Sequence, residues 1–381
     1  MKILAILRDD SACNHYRVFC PLHKLAEHGM AEVTTVEEGP ELSTGVALER
    51  VLQSDIIVTH RPASEEWYKF LKVLHKSGKI IVCDYDDDPF NTSPLNPYYQ
   101  YIGTEEVMYQ WADGSKEMLW SKNPLESGGR YLNIEQNIRR RDLFNASFKK
   151  ADLVTTTTEI LKSRLQKINS NVAVLPNLVN FDEYPILECK KKEIRIGWQG
   201  GASHYEDLHM VSKAVKNIIK KYDNVKFIYW GDARMYGLFR EIPIDRIECH
   251  AWSKYIVYPY KLATMNLDIG LCPVIDNEFN QNKSAIKYLE YSMFKTATIA
   301  SNIPPYSPVI TNGKDGILVD EDGWFDAMEE LILNKEKREL IGKNSYENVY
   351  ENYNIDSKIY LWYDAYQKLL KQDITESVLT K

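Results

Sequence analysis

The chain reads as an α/β protein built from two doubly wound domains, and three observations point there. Short apolar runs alternate with longer helix-periodic segments almost throughout, the pattern of parallel strands joined by helical crossovers. A polar stretch punctuated by Pro185 and ending in Lys190-Lys191-Lys192 interrupts that alternation near the middle. With 381 residues, 44% of them hydrophobic, the chain exceeds what a single compact core ordinarily organises.

In the first half, the strands fall at Ile3–Leu7, Glu32–Val36, Asp55–Thr59, Lys79–Cys83, Leu153–Thr156 and Val172–Leu175. His15 to His28 has helical spacing and stops before Gly29, a C-terminal cap. Between residues 84 and 132, prolines and glycines interrupt any long element. That insertion also carries Tyr98, Tyr99, Tyr101, Tyr109, Trp111 and Trp120, which suits a folded lid or an acceptor-binding surface. The second series has strands at Ile194–Trp198, Val225–Trp230, Ile269–Leu271, Thr298–Ala300 and Gly316–Val319. Its helices are Asp207–Lys221, Tyr258–Asn266, Ser284–Phe294 and Trp324–Leu333, followed by two more near Glu336–Asn352 and Asp356–Leu370. The expected domains are 1–180, with the insertion at about 84–132, and 193–350, joined by a linker at 181–192. Residues 351–381 return as a helix to the first domain, and ligands of such folds bind in a cleft at the strand ends.

Composition narrows the function. A formal charge of -7 argues against a surface devoted to nucleic acid or anionic membrane, while leaving room for a local basic patch. Six cysteines lie scattered without a C-x-x-C pair, which disfavours a zinc framework or a disulfide-dense module and suggests reduced thiols and a cytoplasmic location. The apolar run Ile3–Leu7 is too short for a signal core or a membrane span, and no 18-residue apolar run follows.

Four places carry candidate chemistry. Gly200-Gly201 follows a strand and precedes a helix, and Ser203-x-x-Glu206 has capping-box spacing; together they suggest a phosphate loop, with a tight turn capped for stability as the bland reading. On the next-but-one helix, Lys283, Lys287 and Glu290 lie at i, i+4 and i+7 opposite the apolar stripe Ile286, Leu289 and Met293, with Asn282 and Ser284 at the helix start. Two ammonium groups and backbone amides there suit a diphosphate, and Glu290 suits ribose hydroxyls; the alternative is a solvated Lys-Glu face. In the first half, Asp84, Asp86, Asp87 and Asp88 crowd together, which raises at least one pKa or recruits a cation. A divalent cation, a solvated turn and acceptor binding are the three uses considered, the last preferred. Finally, His15 is a candidate proton carrier and Arg17 a candidate phosphate holder, with His60-Arg61 comparable. Arg139-Arg140-Arg141 with Lys149-Lys150 could hold bases, although a solvated helix face is the commoner origin of such a run.

The run Lys283-Ser284-Ala285-Ile286-Lys287-Tyr288-Leu289-Glu290-Tyr291, then Thr298–Ser301, Pro305-Tyr306 and Asn312-Gly313-x-x-Gly316–Val319, resembles the donor half of the group 1 (family four) glycosyltransferases of GT-B fold. Leu175-Pro176-Asn177 is similar to that family's domain junction, and Gly200-Gly201 to its phosphate loop. The aspartate cluster followed by Asn91-x-x-Pro94 resembles phage and bacterial members. The resemblance implies two Rossmann-like domains facing across a cleft and transfer from a UDP- or GDP-linked sugar with retention. No cofactor is required, and a divalent cation is not favoured. It puts the ribose-binding glutamate at Glu290 and the first glutamate of the Glu-x7-Glu pair at Asn282, where an amide replaces the carboxylate that would grip the sugar. It makes Lys283, Lys287 and Arg234 candidates for the diphosphate and His15, Asp87 and Lys283 candidates for catalysis; Arg17, Arg61, Asp86, Asp88 and Tyr98 are candidates for the acceptor. That acceptor is a cell-surface glycan, a lipid-linked sugar or a modified DNA base. Two other readings stay open: a nucleotide-sugar epimerase of the same fold, and a non-catalytic nucleotide-sugar binding protein.

Overall fold

The computed structural model describes residues 1–38, 45–111, 114–187, 191–233 and 235–379. It divides into two compact units, one made of Met1–Asp87, Glu135–Asn180 and Asn354–Lys381, the other of Asp88–Ile134 and Phe181–Tyr353.

The first unit is built on a six-stranded parallel sheet. Its strands are β1 (Lys2–Leu7), β2 (Glu32–Glu37), β3 (Ile56–His60), β4 (Ile80–Asp84), β7 (Leu153–Thr156) and β8 (Val172–Val174), in the order β2-β1-β3-β4-β7-β8. β3 and β4 are buried along their whole length because helices cover both faces, so Ile56-Ile57-Val58 and Ile80-Ile81-Val82 need no polar alternation. The expected helix from His15 forms with a local change of winding: an α turn at Ala12–Asn14, a π turn at His15–Phe19, then α-helix at Cys20–Glu27. Helix Tyr360–Leu379 contributes Trp362 and Tyr366 to the core of this unit.

In the second unit the sheet order is β11-β10-β9-β12-β13-β14, all parallel. The strands are β9 (Ile194–Gly200), β10 (Val225–Gly231), β11 (Ile247–His250), β12 (Ile269–Cys272), β13 (Ala297–Ser301) and β14 (Ile317–Val319). Helix Tyr205–Lys221 lays Leu208, Val211, Val215, Ile218 and Ile219 onto the sheet at three- and four-residue spacing, against Trp198, Phe227 and Met328. Truncating one of these to alanine is expected to cost about 2–5 kcal/mol. The aromatic-rich insertion belongs to this unit. It forms the antiparallel hairpin β5 (Val107–Gln110) and β6 (Lys116–Trp120) over a small core of Leu119, Trp120 and Leu132. One polar tie to the rest of this unit runs from Ser93 Oγ to Glu206 Oε2, 2.5 Å. No helix among the described residues is long and apolar enough to cross a membrane.

Candidate functional site

In the second unit the site is built where β9 ends. Gly200 and Gly201 lead into a 3-10 turn at Ala202–His204, and only then does the helix Tyr205–Lys221 begin. The turn displaces the expected capping box. Ser203 sits inside the turn instead of ahead of the helix, and Glu206 accepts from Ser93 instead of reaching back to the helix start. Burial pushes the Glu206 carboxyl above its usual range.

The helix carrying the expected charged stripe is also shorter than its sequence suggests, spanning Ile286–Ser292. Lys283 therefore precedes it, its backbone N–H bonded to Asn280 O at 3.1 Å and its ammonium 4.7 Å from the centre of the Phe279 ring. The solvated-face alternative fails, because Lys287 and Glu290 are buried while Ile286, from the expected apolar stripe, is only half-buried. The helix lies tight on the sheet because β12 carries Gly270: a Cβ there would strike the Tyr291 ring.

Four residues that were not among the candidates complete it: His204, Asp207, Gln199 and Tyr258. Lys287 Nζ donates to His204 Nε2 at 2.9 Å, and His204 Nδ1 donates to Asp207 Oδ2 at 2.6 Å. The other Asp207 oxygen accepts from Ile275 N at 2.8 Å and Asn280 Nδ2 at 2.9 Å. Burial and the nearby Lys283 and Lys287 charges drive the His204 pKa down to about 3, so the imidazole is neutral. Burial and Lys283 also lower Lys287 to about 8, against the pull of Cys272, Asp207 and Glu290. Glu290 Oε2 accepts from Gln199 Nε2 at 3.0 Å and from Tyr258 hydroxyl at 2.6 Å. Tyr258 is held well above its ordinary pKa by burial and the Glu290 charge, and it stacks on Trp230 at 4.8 Å between ring centres. His204 and Gln199 lie in the same glycine-rich run that signalled the loop, and His204-x-x-Asp207 has the spacing of one helical turn, so a signal for them was present. Tyr258 had none beyond its helix.

Asn282, at the place of the missing glutamate, is fully buried, and its amide donates to Asp88 Oδ2 at 3.3 Å and to Glu278 O. Asp88 also accepts from Phe90 N at 3.0 Å and Asn91 Nδ2 at 2.8 Å, so this carboxylate caps a turn and braces Asn282. Ser284 is half-buried, and Tyr98 is exposed beside Tyr101, 5.9 Å between rings. Arg234 lies outside the described residues.

The remaining candidates gather in the first unit, past the ends of β3 and β4. Arg17 is buried and spends its guanidinium on Asp84 (3.0 and 2.7 Å), Leu175 O (2.6 Å) and Asn177 Oδ1 (3.0 Å). Arg61 holds Asp86, with Nε at 3.0 Å, and reaches Asp87 at 3.2 Å; His60 Nε2 is 3.2 Å from the same Asp86. Its backbone is left-handed, φ 55°, a conformation that non-glycine residues adopt at a cost. Burial would raise Asp86, yet Arg61 and His60 outweigh it and hold its carboxyl well below the usual range. The aspartate cluster thus recruits the protein's own guanidinium groups, and at Asp86 the shift is opposite to the one expected from repulsion alone. Asp87 keeps 35% of its side chain exposed. His15 is half-buried in the π turn, its ring 5.6 Å from Phe19.

Residues 193–334 match the family described as Glycosyl transferases group 1. Over that stretch the chain is similar to the group 1 glycosyl transferases. Around it, the chain has the GT-B fold. It resembles sucrose-phosphate synthase of Thermosynechococcus elongatus at TM-score 0.63 and 13% identity, covering 98% of this chain and 100% of that one. A Rickettsia africae glycosyltransferase aligns at 0.62 and 13%, covering 97% and 98%, and Anabaena HepE, in complex with UDP-glucose, at 0.60 and 10%, covering 98% and 99%. No curated protein matches the sequence. Within the matched residues 193–334 lie both hydrogen-bonded groups just described, Lys287–His204–Asp207 and Glu290–Gln199–Tyr258.

Proposed function

We propose that the chain transfers a sugar, with retention, from a UDP- or GDP-linked donor to a glycan or lipid-linked acceptor. The donor is held by residues 193–350, with Glu290 on the ribose hydroxyls and Lys283, Lys287 and the Gly200-Gly201 loop on the diphosphate. One observation carries this reading: a buried ammonium, Lys287, faces a neutral histidine with a second ammonium nearby, so positive charge is stored where an anion would neutralise it. Charge developing on a departing diphosphate is what such a site stabilises best. HepE, crystallised with UDP and with UDP-glucose, supports the donor class by analogy.

The acceptor would fall to residues 1–180, where the half-buried Asp87 and Arg61 lie beside the buried Asp86. A DNA acceptor gains nothing from Arg139, which is exposed and paired with Glu65. A thermal-shift screen of nucleotides and nucleotide sugars tests the proposal. The matching nucleotide at 100 times its Kd adds about 2.7 kcal/mol and a few degrees of Tm; no response to any UDP- or GDP-linked compound refutes it. Product analysis with donor alone separates transfer from epimerisation, since an epimerase yields the isomeric donor and a transferase does not.

A further inference from the structure

The donor reading gives Asp207 and His204 no part, yet a chain of hydrogen bonds fixes both. Asp207 is buried and receives two donors on Oδ1, from Ile275 N–H and the Asn280 amide. Its Oδ2 is left for His204 Nδ1. A carboxylate only accepts, so Nδ1 carries the proton and the neutral ring presents a lone pair at Nε2. Lys287 Nζ, at 2.9 Å, is the donor that meets it. One N–H of the ammonium is thereby fixed, and the other two remain for an anion.

We propose that Asp207 and His204 are positioning residues that lock the imidazole in its Nδ1–H tautomer, so that His204 orients the Lys287 ammonium toward the leaving diphosphate. The inference rests on the donor reading above and adds to it the device that aims the charge. Lys283, Cys272, Asp207 and Glu290 are the other charged or titratable groups that act on Lys287, and Lys283 is the one that opposes its protonation. A lysine held by a neutral acceptor keeps its proton more readily than one facing apolar surface, so the hydrogen bond also supports the charged form near pH 8.

The tautomer argument orders two substitutions in a way that packing does not. In Asp207→Asn, the amide oxygen keeps Ile275 and Asn280, while the amide N–H₂ faces His204 Nδ1 and drives the proton to Nε2, so two donors confront each other at Lys287. In His204→Gln, the side-chain oxygen accepts from Lys287 and the bond survives. Asp207→Asn is therefore expected to lower kcat for donor hydrolysis or transfer by about tenfold or more with KM little changed, and to move the alkaline limb of the pH profile downward. His204→Gln is expected to stay within about threefold of wild type, while His204→Phe falls with Asp207→Asn. A wild-type protein that binds neither UDP nor GDP by calorimetry overturns the donor reading and this inference with it. A wild type that binds UDP or GDP, with Asp207→Asn equal to it at every pH, overturns the inference alone. Should the variants fail to fold, ¹⁵N NMR of wild type decides: Nδ1 protonated and Nε2 bare supports the device, and an Nε2–H tautomer overturns it.

Discussion

Two buried cations, Arg17 in the first unit and Lys287 in the second, are held in opposite ways. In the first unit, Arg17 is bidentate to Asp84, and the half-buried Arg61 beside it grips Asp86. Burial works against the Arg17 charge, and Asp84 more than restores it. In the second, Lys287 faces a histidine that carries no charge, and its own pKa falls to about 8. The contrast separates a cation that secures the fold from one held at a cost to it, and a cost of that kind is retained where a ligand repays it.

Substitution at the two sites gives opposite results if this is right. Arg17→Met takes the guanidinium away from the buried Asp84 carboxylate and should remove about 3–5 kcal/mol of stability, seen as a lower urea midpoint. Lys287→Met should slow transfer by two to three orders of magnitude, roughly 3–4 kcal/mol of barrier, while raising Tm. The sign follows from linkage. Unfolded lysine keeps its proton to pH 10.5 and the folded side chain releases it near 8, so this group's contribution to stability is full above 10.5 and is lost as pH falls to 8. Below pH 8 the penalty is about 3 kcal/mol, which methionine escapes. If both variants destabilise alike, the contrast between the two cations is gone.

Smaller effects sharpen it. Glu290→Ala leaves the Gln199 and Tyr258 donors without their shared acceptor and should weaken nucleotide binding about 10–100-fold by calorimetry; unchanged affinity for every nucleotide bound by wild type counts against the ribose assignment. For acid stability, His204 is depressed from 6.5 to about 3, so its contribution is intact above pH 6.5 and drains as pH falls toward 3. His204→Gln should therefore move the acid-unfolding midpoint to lower pH, followed by circular dichroism. Smallest of all, Arg139→Ala should change stability by less than about 0.5 kcal/mol, because its partner Glu65 is at the surface.

The sheets were legible because β3, β4 and β12 are nearly unbroken apolar runs between helical segments. Edge strand β11 escaped notice: Ile247-Glu248-Cys249-His250 has a single strongly apolar residue and half its length meets solvent. The hairpin of the insertion was hidden by its glycines and prolines, and its short strands bury only Leu119 and Trp120. At the site, residue identity was easier to read than secondary structure. Lys287 and Glu290 stand out as charges among apolar neighbours, but the helix boundary that excludes Lys283 depends on the turn before Ala285. His204 was unreadable as a lysine partner because the contact joins residues 83 apart in sequence.

The route of the backbone has a consequence for biosynthesis. Trp362, which approaches the Arg17 guanidinium at 6.0 Å, and Asp356, which pairs with Lys24, belong to the first unit but are translated after the whole second one. On the ribosome the core around the amino-terminal sheet must wait, incomplete, through the synthesis of Phe181–Tyr353. A stop codon near residue 353 would therefore damage the half of the molecule encoded first and spare the half encoded just before it.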